Sequence, residues 1–392
     1  MCGLDRPARR RGSKKVSGSF LLRKMAQALP VYLRPPTKPK SNTLSILVLA
    51  VMLLAAAPVH AATYYWVGSG GNTNSGSNWR ATAPTSGSQC TANGNTSVPG
   101  SADDVVFDAD CDGNAAIDAN LSVTKITTES GYAGTITQNS GVTIATTGDF
   151  VFAGGTFLGG NSAIDVNGSF DMTGGSFTST SGVLSSAVHF KITGGTFTHN
   201  SGTVTWDGAC SLGFPTPVTF DASGVTFNQV SINKSYTSAN GTRAASIVAG
   251  TVINLGDNPT LTIVDSSSGG TCALTNNGTL EVGTGTFAAN IKGTFTNAGT
   301  IRTKTVTKAN SYSRTYSNAS GSTVEFIGDG DGAVDSSALS DFATSYHHLI
   351  INATDGSSDT FTSASPLDIN GNLTLTAGTL SAPSQIYLAG DF

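Results

Sequence analysis

Charged residues and helix-forming runs are scarce in this 392-residue chain. Only 12% of the residues are charged, and beyond residue 62 there are few runs of Ala, Leu, Glu, Lys and Gln, which excludes a largely helical fold. Segments of Thr, Val, Ile and Phe bounded by Gly, Asn and Ser take their place, and these are typical of short strands. Such a polar composition is compatible with disorder, but apolar residues recur at fixed spacings that give each strand a buried face. We therefore predict an all-β mature chain.

Basic residues are also scarce beyond Ala61. Residues 1–61 hold 11 of the 21 Lys and Arg but a single acid, Asp5. The remainder holds 10 basic and 24 acidic residues, a net charge of −14. This charge disfavours nucleic acid and anionic membrane surfaces as partners, and it is compatible with divalent cations.

Long hydrophobic runs are absent except for the 14 apolar residues Leu44–Ala57. Fourteen residues are few for a membrane span, which needs about 20. The run follows a basic stretch and precedes Val59 and Ala61, which suit a cut after Ala61. We predict a signal peptide over 1–61 with a long basic n-region and a start at Met1 or Met25; a retained membrane anchor is the alternative. No membrane insertion is expected of the mature part.

Three segments between residues 148 and 197 align without a gap at offsets of 20 residues. A fixed period of this size is typical of a solenoid. The aligned columns are Phe150/Phe170/Phe190, Phe152/Met172/Ile192, Phe157/Phe177/Phe197 and Ile144/Ile164/Leu184/Val204. Gly-Gly pairs before the third column predict turns, because glycine takes positive φ at little cost. The pattern predicts a right-handed parallel β-helix with coils of about 20 residues. An antiparallel sandwich is less favoured, since its hairpins need not keep a constant period.

The chain divides by pattern into five parts. We predict the leader (1–61), an N-terminal capping module (62–120), regular solenoid coils (121–208), an irregular continuation (209–320) and a second repeat cassette (321–392). A cap suits a solenoid end, because that end exposes strand edges and an apolar cross-section. The repeat that begins at Gly371 starts again at Gly390, so we expect the sequence to be truncated within a coil; a natural, ragged last coil is the alternative.

The capping module carries the motif Tyr64-Tyr65-Trp66-Val67-Gly68, then Asn78-Trp79, then Pro99-Gly100-Ser101-Ala102-Asp103-Asp104-Val105-Val106-Phe107. This module resembles the opening of secreted bacterial surface proteins with β-helical repeats, some of them autotransporter-like or adhesin-like. The resemblance is confined to the capping module and implies a role at the cell surface or outside the cell, without implying a particular activity.

Cysteine is rare, with five residues in the chain. Cys2 lies in the leader, and an even number of cysteines in an exported protein favours disulfides. Of three possible pairings we predict Cys90–Cys111 and Cys210–Cys272, because each pair lies within one region. Neither a CxxC motif nor Cys/His spacing suggests zinc.

Three carboxylates alternate in Asp108-Ala109-Asp110-Cys111-Asp112-Gly113. The spacing resembles a calcium loop, but position 12 is Ala119 and no flanking helices are predicted. Asp108, Asp110 and Asp112 are therefore candidate calcium ligands, with a solvated acidic turn as the favoured alternative. No other cofactor is expected.

Catalytic motifs are lacking: no Ser or Cys nucleophile motif accompanies His189, His199 or His347-His348, and G-x-S-x-G is absent. Asp149, Asp165 and Asp171 are candidate acids for glycoside cleavage but fit the outward half of a strand pattern. We expect no catalysis.

The prediction is a secreted or cell-surface structural or adhesive solenoid that presents Thr/Ser/Asn faces to glycans, extracellular matrix or other cell-surface molecules. The alternatives are a polysaccharide-active enzyme of the pectin-lyase-like β-helix fold and a carbohydrate-binding module of a larger protein.

Overall fold

A computed structural model gives the fold of the chain. It describes residues 61–91, 97–210, 217–235, 242–248, 251–254, 260–264, 271–281, 288–291, 294–303, 315–328, 334–335, 339, 343, 345–353 and 359–392. The predicted leader lies outside the described residues except for Ala61.

The described residues form short strands and two 3₁₀ turns, at Gly76–Asn78 and Gly87–Gln89. The strands up to residue 178 are β1 (Thr63–Trp66), β2 (Gly71–Asn72), β3 (Trp79–Arg80), β4 (Asp104–Phe107), β5 (Ala115–Ile117), β6 (Leu121–Val123), β7 (Lys125–Thr128), β8 (Thr135–Gln138), β9 (Ile144–Thr146), β10 (Phe150–Phe152), β11 (Thr156–Leu158), β12 (Ile164–Val166), β13 (Phe170–Met172) and β14 (Ser176–Thr178). Those up to residue 276 are β15 (Val183–Ser186), β16 (Phe190–Ile192), β17 (Thr196–Thr198), β18 (Thr203–Trp206), β19 (Val218–Asp221), β20 (Gln229–Ser235), β21 (Thr242–Ile247), β22 (Val252–Asn254), β23 (Thr260–Val264) and β24 (Thr271–Asn276). The remaining strands are β25 (Thr279–Glu281), β26 (Ala288–Ile291), β27 (Thr294–Asn297), β28 (Thr300–Thr303), β29 (Thr315–Asn318), β30 (Thr323–Phe326), β31 (Val334–Asp335), β32 (Ser345–Tyr346), β33 (His348–Asn352), β34 (Thr360–Thr362), β35 (Leu367–Ile369), β36 (Leu373–Ala377), β37 (Thr379–Ser381) and β38 (Ile386–Leu388).

The strands stack into a three-sided parallel solenoid, which confirms the predicted all-β fold. Side 1 is a twelve-stranded sheet that ends at β3 and β29, and side 3 is an eight-stranded sheet from β6 to β26. Side 2 consists of two six-stranded sheets, one from β2 to β17 and one from β22 to β36. The chain visits the three sides in turn, as β10, β11 and β12 do before β13 returns to side 1. Two three-stranded sheets, built from β31, β34 and β37 and from β32, β35 and β38, complete the last coils.

The predicted register is confirmed in the regular coils. Phe150 pairs with Phe170 and Phe170 with Phe190, while Phe157 pairs with Phe177 and Phe177 with Phe197. The aliphatic column from Ile144 through Val204 is also in register on side 3. The constant period does not continue, because Phe190 next pairs with Phe220 in a longer coil. The inward column nevertheless stays in register across this longer coil.

Glycine at the corner between sides 1 and 2 is required by geometry. Gly155, Gly175 and Gly195 have φ values of 78°, 71° and 81°, in the left-handed region that disfavours residues with a Cβ. A Cβ on Gly175 or on Gly195 would also lie 2.6 Å from the carbonyl oxygen of the glycine one coil below. The Gly-Gly signal in the sequence therefore marks both a turn and a close stacking of coils.

Aromatic residues fill the N-terminal end of the solenoid. Trp66 and Trp79 are fully buried with ring centroids 5.1 Å apart, and Phe107 packs against both. β3 pairs antiparallel with β1, unlike every other described strand pair, and closes this end of side 1. The indole of Trp66 and the hydroxyl of Tyr132 both donate to the carbonyl of Gly113, each at 2.8 Å.

Candidate functional site: the outer face of side 2

Side 2 presents two outward columns of mostly hydroxyl-bearing residues, which we call the hydroxyl face. Strand periodicity creates them, because Ile136, Phe157, Phe177 and Phe197 point inward and their neighbours point outward. Below residue 200 the first column is Thr135, Thr156, Ser176 and Thr196, and the second is Thr137, Leu158, Thr178 and Thr198. Above residue 250 the first column contains Val252, Thr279, Thr300 and Thr323.

In the coils beyond residue 250, which we call the upper coils, the second column carries charged side chains in place of hydroxyls. Arg302 donates to Glu281 at 2.7 Å and to Glu325 at 2.9 Å, so the three side chains form a ladder across three coils. The amide of Asn352 adds a hydrogen bond of 2.8 Å to Glu325. Hydrogen bonds to Glu281 and then to Glu325 raise the pKa of Arg302 despite its partial burial. The ladder holds one more negative charge than positive.

The two sheets of side 2 are separated by residues 222–228, which bridge the gap without a strand. Phe227 is buried and packs on Phe197 with ring centroids 5.6 Å apart, so the inward column continues through the gap. Gly224 takes a φ of 74°, and Ser223 forms an isolated bridge with Thr251.

A cavity of about 340 Å³, which we call the notch, lies at this gap. Its lining residues are Gly224, Val225, Thr226, Phe227, Val252 and Glu281. Val252 is 41% exposed, which is unusual for an aliphatic side chain between polar neighbours. The notch thus combines an apolar wall with one carboxylate that Arg302 already holds in place.

The candidate calcium ligands lie between β4 of side 1 and β5 of side 2, near the N-terminal end of the solenoid. Asp108 is buried and accepts a hydrogen bond from the backbone of Asp110 at 2.8 Å, while Asp112 accepts one from the backbone of Ala133 at 2.7 Å. Burial raises the pKa of Asp108, opposed by that backbone hydrogen bond. Among the residues that the structure describes, no three His, Cys, Asp or Glu side chains converge as metal ligands would. Calcium at this loop stays a prediction.

Gly113, the glycine of the same motif, has a structural role that the sequence did not reveal. A Cβ there would lie 1.7 Å from the carbonyl oxygen of Gly68. The carbonyl of Gly113 is also the acceptor for the Trp66 and Tyr132 side chains. Packing of the aromatic end therefore accounts for this glycine without a bound ion.

Both predicted disulfides are confirmed. Cys90 is bonded to Cys111 across 21 residues, and Cys210 to Cys272 across 62 residues. Cys210 and Cys272 are fully buried. The second disulfide ties the turn after β18 to β24, and it therefore connects the regular coils to the upper ones.

A buried lysine was not singled out by the sequence. Lys234 follows Val230 and Ile232 at alternate positions of β20, so its side chain points inward and is fully buried. Its Nζ donates to the carbonyl of Ala187 at 3.0 Å and to the carbonyl of Asp207, and it lies 4.3 Å from the ring centre of Trp206. Burial lowers the pKa of Lys234 to about 7, and the nearby Asp207 opposes the shift. The signal available in the sequence was a lysine in phase with an apolar alternation.

Each of the described histidines named as a candidate, His189, His199 and His347, makes its own local contacts. Nδ1 of His189 accepts from the backbone of Thr219 at 3.1 Å, and burial lowers its pKa. His347 Nε2 lies 3.2 Å from the hydroxyl of Ser320, but His347 Nδ1 has no partner that would orient the ring. His199 caps its own turn by accepting from the backbone of Ser201 at 2.9 Å.

The three candidate acids lie on two different sides of the solenoid. Asp149 precedes β10 and Asp171 lies within β13, both on side 1, where Asp149 accepts from the backbone of Ser169 at 2.8 Å. Asp165 is on side 3 and accepts from the Ser185 hydroxyl at 2.8 Å. The fold therefore places Asp165 on a different side from the other two candidate acids.

Comparisons with known protein families, with curated proteins and with solved structures give no match to this chain. Within the described ranges, no helix has the length and apolar character needed to cross a bilayer.

Proposed function

We propose that this protein is a secreted or cell-surface structural and adhesive solenoid of bacterial type, which uses the hydroxyl face to contact glycans, extracellular matrix or other cell-surface molecules. The observation that carries the proposal is the regular hydroxyl face, whose four lower rungs are held in register by continuous parallel pairing. Hydroxyl groups both donate and accept hydrogen bonds, so such a face suits polar, repetitive partners.

The two disulfides support placement outside the cytoplasm, because disulfides persist in oxidising compartments. The predicted leader supports export through cleavage after Ala61. The test of export is N-terminal sequencing of the protein recovered from the cell surface or medium of the native host, where Ala62 is expected as the first residue. A surface-exposed product that retains Leu44–Ala57 would indicate an anchored protein, and a product found only in the cytoplasm would contradict the proposal.

The adhesive role is tested with residues 62–392 coated on beads and applied to cells, purified matrix proteins and immobilised glycans. We expect retention on at least one of these surfaces and loss of that retention when Thr137, Thr178 and Thr198 are replaced together by Glu. The matched control replaces outward residues of side 3, Thr205 and Ser231, by Glu; these two are paired and half-buried. Equal loss in both variants, or no retention on any surface, would contradict the proposal.

A further inference from the structure

We propose that the hydroxyl face binds an extended, uncharged, β-linked polysaccharide that runs along the solenoid axis, with one sugar ring per coil and one ring seated in the notch. This inference rests on the proposed function, and it specifies the chemical class of the partner at the same surface.

The coil spacing provides the first argument. Parallel strands are roughly 4.8 Å apart, and the advance per ring in an extended 1,4-β-linked glycan is close to that distance. The four rungs from Thr135 to Thr198 are paired in parallel without a register shift, so successive hydroxyls repeat at the strand spacing. A ligand whose rings advance by nearly the same distance therefore places one ring at each rung.

The rigidity of the face provides the second argument. Behind the outward residues, Phe157 and Phe177 stack with centroids 4.5 Å apart and planes 7° apart, and Phe177 stacks on Phe197 at 6.0 Å. A packed aromatic column fixes the strands in front of it, so little conformational freedom is lost on binding.

Apolar positions within the polar columns provide the third argument. Leu158 and Val252 are each 41% exposed and stand in outward columns of the hydroxyl face. The faces of a pyranose ring expose C–H groups, which pack on aliphatic side chains, while the ring edges carry the hydroxyls. A mainly hydroxyl-bearing face with two exposed aliphatic positions matches that pattern better than a uniformly polar surface does.

The notch provides the fourth argument. Its volume of about 340 Å³ lies at the lower end of the range of about 300–1,000 Å³ typical of small-molecule sites. Val225, Phe227 and Val252 form its apolar lining, and Glu281 is positioned by Arg302 at 2.7 Å. A carboxylate accepts hydrogen bonds from sugar hydroxyls, so one ring is held by its edge and its apolar face.

Charge decides between neutral and acidic polysaccharides. The ladder on this face has two carboxylates, Glu281 and Glu325, for one guanidinium, Arg302. The part of the chain after residue 61 has 10 basic and 24 acidic residues. An anionic glycan would be repelled, whereas an uncharged one would not.

The experiment measures binding of residues 62–392 to cello-oligosaccharides from cellobiose to cellohexaose and to insoluble cellulose. We expect affinity to rise with each added ring, and maltohexaose, whose α-linked chain coils, to bind much more weakly. Affinity that does not depend on length, or equal binding of maltohexaose, would overturn the inference.

Two variants with a matched control locate the site. Leu158→Glu and Val252→Glu should each weaken cellohexaose binding by about tenfold or more. Val183→Glu should leave binding unchanged, because Val183 is also 41% exposed but begins β15 on side 3. Circular dichroism and melting curves check that all three variants fold. Equal losses in the three variants would overturn the assignment to side 2.

The outcomes also separate this inference from the proposed function. No binding to any cello-oligosaccharide or to cellulose, while beads still adhere to cells or matrix, would overturn the polysaccharide and leave the adhesive role standing. Loss of both would overturn both.

Discussion

One inward column of side 1 has different chemistry in the coils before residue 222, the lower coils, and in those after residue 250, the upper coils. In the lower part it consists of Phe150, Phe170, Phe190 and Phe220, and after Ile247 it continues as Asn276, Asn297 and Asn318. The phenylalanine rings lie 5.8, 5.1 and 4.7 Å apart between successive coils. The asparagine amides donate from one coil to the next at 3.0 and 3.2 Å. Both stacked rings and stacked amides can therefore fill the same inward column of this solenoid.

The corner after this column explains the difference. In the lower coils the turn from side 1 to side 2 is made by Gly-Gly, with main-chain hydrogen bonds such as that from Thr196 to Gly175 at 2.9 Å. In the upper coils the Asn276 and Asn297 amides reach across the corner to the carbonyls of Thr300 and Thr323, at 3.0 and 3.2 Å. Asparagine thus supports the upper corner through its side chain. The hydrophobic gain from burying the rings is nondirectional and scales with buried area, whereas an amide ladder depends on every hydrogen bond being made.

The largest effect is expected from Phe170→Ala in the lower coils. Phe170 is fully buried between Phe150 and Phe190, and truncation of a buried aromatic costs about 3–5 kcal/mol. Thr178→Ala is the control, because Thr178 is half-buried in an outward column and should change stability little. The measurement is the midpoint of urea unfolding for each variant. Equal, small shifts for the two variants would contradict the stacked register.

A smaller loss is expected from Asn297→Ala in the upper coils. Asn297 is fully buried and exchanges hydrogen bonds with Asn276, Asn318 and the carbonyl of Thr323. Its removal breaks the ladder at its middle rung: Asn276 Nδ2 keeps only the carbonyl of Thr300, and Asn318 Oδ1 keeps only the hydroxyl of Tyr316. We expect a loss of about 1–3 kcal/mol. Thr296→Ala, at the adjacent outward position, is the matched control. The amide ladder would be refuted by an Asn297→Ala variant as stable as the control in thermal unfolding.

The two regions also differ in how far their structure could be predicted from sequence. The phenylalanine columns were predicted because three copies repeat at a constant interval, and hydrophobic periodicity is the strongest sequence signal. The asparagine column was not predicted, because asparagine is also the ordinary residue of turns. Its equal spacing from Asn276 to Asn297 and from Asn297 to Asn318 could have been found by aligning the T-F-T-N and T-Y-S-N segments.

The sequence predicted which residue types form the candidate site, but it did not predict the cavity. The sequence indicated Thr/Ser/Asn faces, but the notch depends on residues 222–228 that leave the strand pattern and on Val252 and Glu281 from later coils. The cavity lies where the sequence repeat is interrupted, so the repeat pattern cannot predict the backbone path at that point. The disulfides were predicted correctly because the pairing that joins cysteines within the same region was chosen among the three possible pairings.

Lys234 lies in β20, between the lower and the upper coils. Its titration should make the stability of the folded chain depend on pH. Its pKa is about 7 in the fold, against 10.5 for the ordinary group. Between these two pKa values the lysine is protonated in the unfolded chain but largely neutral in the folded chain. The free energy of unfolding should therefore rise with pH from about 7 to about 10.5, by at most about 1.4 kcal/mol per pH unit.

Lys234→Met removes this titration and tests it. The difference in unfolding free energy between the native chain and the variant should grow in favour of the native chain from about pH 7 upward. Below that pH both folded and unfolded states carry the charge, and the difference should be constant. A flat difference for Lys234→Met would show that Lys234 stays charged in the fold.

The smallest effect is expected from Arg302→Gln on the hydroxyl face. Arg302 bridges Glu281 and Glu325, yet about a third of its side chain is exposed, so solvent screens the ion pairs and each is worth about 0.5 kcal/mol. Without the guanidinium, Glu281 and Glu325 remain as like charges two rungs apart, and the loss should shrink as salt is added. Phe170→Ala removes buried apolar contacts and no charge, so it should destabilise the chain by a similar amount at low and high salt. A salt-independent loss for Arg302→Gln would mean that the arginine acts through packing of its aliphatic stem.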